Sequence, residues 1–113
     1  MNAGLDIRLR RFDHAREAID RHLAVQPRSA SGYFMRGEAL RREAGSDRAQ
    51  LEAALSAYET AARLDASVPE AQRELGLLER QLGRDDDARP HRARYLQLAP
   101  AAADRAIVES YLH

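Results

Sequence analysis

Apolar residues recur along the chain with the spacing of one helix face. The clearest run precedes Gly83, and its members are Ala71, Leu75, Leu78 and Leu82. Steps of four, three and four residues are the period of a helix and not of a strand. Ser67 and Glu70 have the spacing of a capping box, and Pro69 stands in the first turn, where a missing N–H costs little. Gly83 then offers the positive φ that helix ends favour, so the pattern predicts a helix before it.

The same period predicts two helices earlier in the chain. A helix over residues 31–44 carries Gly37 in its middle, where glycine costs about 1 kcal/mol relative to alanine. This position predicts a close approach by a partner helix that a side chain would block. After Gly45, Asp47 and Gln50 offer a capping pair for the next helix. The apolar stripe of that helix is Leu51, Leu55, Tyr58 and Ala62.

The two ends of the chain carry shorter apolar runs. One stripe ends at Pro27 and consists of Phe12, Ala15, Ile19 and Leu23. Residues 1–11 before it are open to two interpretations, a short helical turn or a frayed arm. After the Gly83 turn, Pro90 predicts that the next helix starts late, near Asp86 or Asp87, because proline is tolerated only in the first turn. The tail, residues 103–113, predicts a closing helix.

Matching positions recur at a constant distance along the sequence. Gly37 and Gly76 are 39 residues apart, as are Ala15 and Ala54, whereas Ala54 and Ala88 are 34 apart. A period near 34 residues with helix–turn–helix content is typical of a solenoid built from repeated helical hairpins. The longer spacing is the same unit with five extra residues.

These positions resemble the tetratricopeptide repeat family. The small residue of its first helix matches Gly37, Gly76 and, as a serine, Ser110. The alanine of its second helix matches Ala15, Ala54 and Ala88, and its closing proline matches Pro27 and Pro100. The sequence departs from the family pattern at Arg36 and Arg92, where a large apolar and an aromatic residue are expected, and at Ala66, where the closing proline is expected.

The resemblance implies an all-α solenoid of antiparallel helix hairpins that curls into a right-handed superhelix. We expect one domain with about three repeats: residues 1–29 in part, 30–68 with the insertion, and 69–102. Residues 103–113 would form a capping helix over the apolar side of the last repeat.

In this family the first helix of each repeat lines a concave groove. The groove positions that the resemblance implies are Phe34, Glu38, Arg41, Arg42, Glu70, Arg73, Leu77, Arg80, Gln81, Ile107 and Tyr111. Leu77 supports this assignment independently, because it lies off the Leu75–Leu78 core stripe and needs another contact. The lysine and asparagine set with which some members grip a chaperone's terminal carboxylate is missing, since Phe34 and Glu38 stand there.

The groove residues predict a partner of a particular kind. Arg41, Arg42, Arg73 and Arg80 would give the groove a basic floor, and Phe34, Leu77 and Tyr111 would be apolar anchors. Arginine pairs bidentately with carboxylates, and aromatic anchors commonly carry binding energy. The hypothesis is therefore a peptide with acidic and apolar residues. The alternative is a solvated helix face on which each arginine pairs with a nearby glutamate.

Composition and charge exclude several classes of function. The 113 residues contain 18 basic and 18 acidic residues, so the balanced charge argues against nucleic acid and anionic membranes as partners. Aromatic residues make up only 5%, too few for base stacking. There is no cysteine and no apolar run long enough for membrane insertion. The missing apolar leader favours the cytoplasm, although the chain may be part of a longer protein.

Catalytic and metal-binding patterns are missing as well. His14 and His22 nearly share a helix face, but no ligand motif surrounds them. The Asp85–Asp87 run lacks the spacing and glycine of a calcium loop, and helix capping explains it. No nucleophile or phosphate-binding motif is present. We therefore predict no enzyme activity, no metal and no cofactor.

The sequence thus predicts a protein-interaction module that acts as a scaffold or adaptor. The alternative is a structural or self-association domain of a larger protein. It follows from the partial first repeat, whose Phe12–Leu23 helix would leave an apolar side open to a homodimer contact.

Overall fold

All regular secondary structure in the described part of the chain is helical, which confirms the all-α prediction. A computed structural model describes residue 7, residues 11–100 and residues 104–110, the last three without their side chains. The helices are α1 (Phe12–Val25), α2 (Ala30–Ala44), α3 (Arg48–Leu64), α4 (Pro69–Gln81), α5 (Asp85–Leu98) and α6 (Arg105–Ser110). Ile7 is also helical.

The helices stack in the order of the sequence. The two most extensive helix contacts are between α2 and α3 and between α4 and α5, which are the predicted hairpins. α1 packs on α2, α3 packs on α4, and α6 packs on α5. Contacts between sequence neighbours are the organisation of a solenoid, in which each hairpin buries its apolar side against the next one.

Small residues allow the helices of each hairpin to approach closely. A Cβ atom added at Gly37 would lie 2.7 Å from the ring of Tyr58, which is completely buried. At Gly76 it would lie 2.9 Å from Cγ of Arg92. Ala54 and Ala88 are also fully buried. The close approach predicted from Gly37 is therefore confirmed.

The apolar core lies mainly in the middle of the array. One cluster joins α3 and α4 through Leu51, Leu55 and Tyr58 on one side and Leu75 and Leu78 on the other. A second cluster joins α1 and α2, and Ile7 belongs to it with only 1% of its surface exposed. The residues that pack with Ile7 are Ala15, Ile19, Leu23 and Ala39. Ile7 therefore covers part of the α1 face that the partial first repeat was expected to leave open.

One predicted helix start and one predicted helix end are confirmed, and another predicted start is wrong. Asp47 caps α3 by accepting the N–H of Gln50 at 3.1 Å, and Gly83 has a positive φ of 78° after α4. Ser67 does not cap α4, since Val68 is the N-cap and makes no side-chain bond. The cause is Asp65, whose carboxylate accepts both the N–H and the hydroxyl of Ser67.

The predicted position of Pro90 is also wrong. α5 begins at Asp85, so Pro90 lies inside the helix and beyond its first turn. The early start is fixed by the N–H of Ala88, which donates to the carbonyl of Arg84 at 3.0 Å. The three aspartates of the first turn favour the positive end of the helix dipole.

We predict that Gly37→Ala destabilises the protein by about 1–3 kcal/mol, although alanine favours helices by about 1 kcal/mol. The added methyl group would overlap the Tyr58 ring, which is buried and has no space to move into. Urea unfolding of the variant measures the effect. Ser31→Ala, at an exposed position of α2, is the control. A Gly37→Ala protein as stable as the unmodified one would contradict this packing.

Candidate partner-binding face

The leading helices of two repeats, α2 and α4, lie side by side and run in the same direction. Near their first turns, Phe34 of α2 and Glu70 of α4 line one cavity. Further along both helices, Nε of Arg41 lies 3.3 Å from a carboxylate oxygen of Glu74. We call this surface the α2–α4 face and define it by Phe34, Arg41, Glu70, Arg73 and Glu74.

Helical spacing places two further predicted residues on this face. Glu38 lies between Phe34 and Arg41 at steps of four and three residues. Leu77 follows Glu74 by three residues, and it is half-buried and outside the described core clusters. Residues three or four apart are neighbours on a helix surface. Both residues are thus in register with the α2–α4 face, and their place in the groove stays a prediction.

Phe34 and Arg41 are held in place by the buried Tyr58. The ring of Phe34 packs at a tilt against that of Tyr58, with 5.5 Å between ring centres. The Nε–H of Arg41 donates to the Tyr58 hydroxyl oxygen at 3.2 Å. Burial raises the pKa of Tyr58, so its hydroxyl stays protonated across the physiological range. Two residues of the α2–α4 face are therefore positioned by contacts with the fully buried Tyr58.

Arg73 bridges two carboxylates. Its Nε lies 2.6 Å from Asp104, which precedes α6, and its Nη1 lies 2.9 Å from Glu74. The hydroxyl of Tyr95 donates to the other oxygen of Asp104 at 2.6 Å. The hydrogen bond from Tyr95, followed by that from Arg73, lowers the pKa of Asp104. This network fastens the start of the closing helix to the α2–α4 face.

The other predicted groove residues whose side chains are described are exposed. They are Arg42, Arg80, Gln81 and Ile107. Tyr111 lies outside the described residues, so its place in the groove stays a prediction. Asp104 was not among the predicted site residues, because it is distant in sequence from Arg73 and only the fold brings them together.

The comparisons with known proteins agree with this architecture. The tetratricopeptide repeat family model matches residues 3–47 and 46–103. The chain belongs to the tetratricopeptide repeat family. Tetratricopeptide repeats generally mediate protein–protein interactions and scaffolding.

A solved structure shows the same fold. The crystal structure of a thermophilic tetratricopeptide-repeat protein from Thermus thermophilus is 27% identical to this chain and superimposes with a TM-score of 0.75. The match covers 97% of this chain and 58% of that one, so the chain spans little more than half of its relative's length. No curated protein sequence matches this chain.

The interior of the α4–α5 hairpin contains several polar side chains. Arg92, at the position of the family's aromatic residue, has 2% of its surface exposed and donates from Nη2 to the carbonyl of Gly76 at 3.2 Å. His91 lies 2.9 Å from Oε1 of Gln72 through Nδ1 and 3.2 Å from Oε1 of Glu79 through Nε2. The hairpin α4–α5 is thus joined by hydrogen bonds where α2–α3 has an aromatic core.

Glu79 and His91 face each other in this interior. His91 makes its hydrogen bond to Gln72 through Nδ1, and its Nε2 lies near Oε1 of Glu79, a buried oxygen that accepts no hydrogen bond from the described residues. Burial, followed by the negative charges of Asp87 and Glu59, raises the pKa of Glu79 to about 7. Burial lowers the pKa of His91. Both shifts favour the uncharged forms of Glu79 and His91.

Within the described ranges, no group of three or more histidine, aspartate and glutamate side chains is arranged to hold a metal ion. None of the helices described above combines the length and hydrophobicity needed to cross a membrane.

We predict that Tyr95→Phe raises the pKa of Asp104 toward its ordinary value, because the carboxylate loses a hydrogen-bond donor. The ¹³Cγ chemical shift of Asp104, followed by NMR between pH 2 and 7, measures this. Tyr33→Phe, which removes a hydroxyl from α2, is the control. An unchanged Asp104 pKa in Tyr95→Phe would show that the Tyr95 contact does not form.

We predict that Glu79→Gln becomes more stable relative to the unmodified protein as the pH rises from 4.5 to about 7. The raised pKa means that folded Glu79 keeps a proton that the unfolded chain releases near 4.5. The stability contributed by Glu79 is therefore full below 4.5 and is lost as the pH passes 7. Glutamine stays neutral throughout this pH range, so the variant lacks this loss.

The expected relative gain at pH 8 is about 1–2 kcal/mol, after allowing for solvent screening. Urea unfolding at pH 4.5, 6 and 8 measures it for both proteins. The exposed Glu17 of α1 provides the control Glu17→Gln, which should show no such trend. A constant difference between Glu79→Gln and the unmodified protein at all three pH values would exclude a raised Glu79 pKa.

Proposed function

We propose that this chain is a protein-interaction module that binds a segment of a partner protein along the α2–α4 face. The observation that carries the proposal is the pair of parallel leading helices whose side chains contact each other. Phe34 and Glu70 line a cavity between the two helices, and Arg41 and Glu74 pair across the helices at 3.3 Å outside that cavity.

The face is held in its shape before any partner arrives. Arg41 is fixed by Tyr58 and Glu74, and Arg73 by Glu74 and Asp104. Side chains that are already ordered lose little conformational entropy on binding, which favours affinity. This support comes from packing and hydrogen bonds that the repeats themselves supply.

The proposed partner segment carries apolar and acidic residues. Phe34 lines the cavity, and Leu77 follows Glu74 by three residues on α4. Both are half-buried, and we propose that both contact an apolar side chain of the partner. Arg42 and Arg80 are exposed toward the C-terminal ends of α2 and α4, where a partner carboxylate would meet positive charge. A carboxylate that reaches Arg73 would take the place of Asp104, so the acidic residues are proposed to bind at the helix ends.

The alternative of self-association has less support. It followed from an open apolar side of α1, and the buried Ile7 occupies part of that side. Val25, at the end of α1, is 80% exposed, but a single exposed apolar residue is common on protein surfaces. We therefore keep partner binding as the proposed function.

We expect a random dodecamer peptide library, displayed on phage and selected on the full chain, to yield peptides that need Leu77. Replacing Leu77 by serine should weaken their binding by about fivefold or more, the effect of losing a contact worth over 1 kcal/mol. Fluorescence anisotropy with the selected peptides measures the affinity.

Val25→Ser is the matched control, since it removes an exposed apolar side chain from the opposite end of the hairpin stack. It should bind the peptides like the unmodified chain. Circular dichroism melting establishes that Leu77→Ser remains folded. If no peptide is enriched, or if Leu77→Ser binds them unchanged, the α2–α4 face is not the binding surface.

A further inference from the structure

The α2–α4 face contains a largely apolar cavity near the N-terminal ends of its two helices. It measures about 250 Å³ and lies where the first turns of α2 and α4 meet the end of α3. Phe34, Met35 and Val68 contribute its largest apolar side chains, and three alanines complete most of the wall. We call it the α2–α4 cavity.

The size of the cavity suits a single side chain. Sites for small molecules and cofactors usually have about 300–1,000 Å³ and several convergent polar groups. The α2–α4 cavity is smaller, and alanine and other apolar residues form most of its wall. An apolar side chain of a bound segment would exclude water from this wall and gain the corresponding free energy.

The two charged residues that line the cavity are both acidic. Asp65 and Glu70 line it from the end of α3 and the start of α4. Two hydrogen bonds from Ser67 lower the pKa of Asp65, so its carboxylate is charged at neutral pH. Among the described residues, neither Asp65 nor Glu70 forms an ion pair with an arginine. Two carboxylates without a cationic partner give this end of the face a negative potential.

The geometry points to a specific anchor in the proposed partner: a large apolar side chain seated in the α2–α4 cavity, with a lysine or arginine next to it that pairs with Glu70 and Asp65. This inference rests on the proposed function and specifies its ligand. The face then has opposite charges at its two ends, with carboxylates near the first turns and Arg42 and Arg80 near the last turns. Opposite charges at the two ends fix the direction in which a bound segment lies.

The charge at the mouth argues against other occupants. An acidic segment would place like charges beside Asp65 and Glu70, which costs binding energy. A second copy of the chain would have to insert its own exposed apolar residue, such as Val25. That event would appear as self-association in sedimentation velocity, and a mass that rises with concentration would favour the second copy over a separate partner.

The test uses the dodecamers selected on the full chain. We expect them to share a large apolar residue next to lysine or arginine. Changing Glu70 to arginine should weaken their binding by about three- to tenfold, and a peptide with its basic residue changed to glutamate should bind Glu70→Arg better than the unmodified chain. Glu70→Gln, which keeps the helix start without the charge, should give an intermediate loss.

Glu17→Arg is the control, because it makes the same charge change at an exposed position of α1. The location is read from the Cε methyl signal of Met35, one of only two methionines in the chain. This signal should shift with the selected peptide and not with a version whose apolar residue is alanine.

The two proposals fail in different ways. Without enriched peptides, the proposed function fails and the inference falls with it. If the peptides bind and need Leu77 but leave the Met35 methyl signal unchanged, only the inference about the cavity is wrong. The same holds if acidic residues take the place of the basic neighbour, or if Glu70→Arg and Glu17→Arg have equal effects.

Discussion

The close approach of the two helices at Gly37 is the contact on which the rest of the structure depends. Because Gly37 has no side chain, the ring of Tyr58 lies directly on the backbone of α2 and is completely buried. The same ring packs against that of Phe34, and its hydroxyl oxygen accepts a hydrogen bond from Arg41. One residue thus joins the hairpin core to the surface proposed to bind a partner, so the packing of the hairpin sets the geometry of the face.

The residue that packs against the glycine differs between the two hairpins. In α2–α3 the residue against the glycine is an aromatic ring, whereas in α4–α5 it is the aliphatic part of Arg92. The leucines of α4 pack instead on α3, in the cluster that includes Leu75 and Leu78. α4 is therefore held to the preceding repeat by apolar burial and to its own partner helix mainly by hydrogen bonds. Apolar burial favours association without fixed geometry, whereas a buried polar network stabilises only when its members are paired.

Patterns within a few residues predicted most of the fold. The apolar period gave the helices of the two full hairpins, and Gly37 predicted the close contact in the first of them. The errors arose where one local interaction competed with another. Ser67 stands at a favourable capping position, but its N–H and its hydroxyl both donate to the carboxylate of Asp65. Pro90 favours a late helix start, but the bond from Ala88 to Arg84 and the three aspartates stabilise an earlier one.

The candidate site was harder to predict, because its chemistry comes from residues far apart in sequence. The resemblance to the repeat family predicted that Phe34, Arg41 and Arg73 line one groove. It could not show that Asp104, 31 positions after Arg73, neutralises part of the basic surface. Arg92 was recognised only as a departure from the repeat pattern. Its role in a polar interior with Glu79 and His91 depends on three-dimensional contacts that no periodicity encodes.

The Arg73–Asp104 pair connects the stability of the closing segment with the charge of the face. While α5 and α6 are docked, Tyr95 and Arg73 hold Asp104, and Arg73 is shared between two carboxylates. Any opening of this end would remove Asp104 and leave Arg73 with Glu74 alone, which makes the face more positive. α5 is joined to α4 by a polar network rather than by an aromatic core. The protonation of Glu79 and His91 therefore affects the contact between the same two helices. The charge of the α2–α4 face therefore depends in part on how α5 packs against the opposite side of α4.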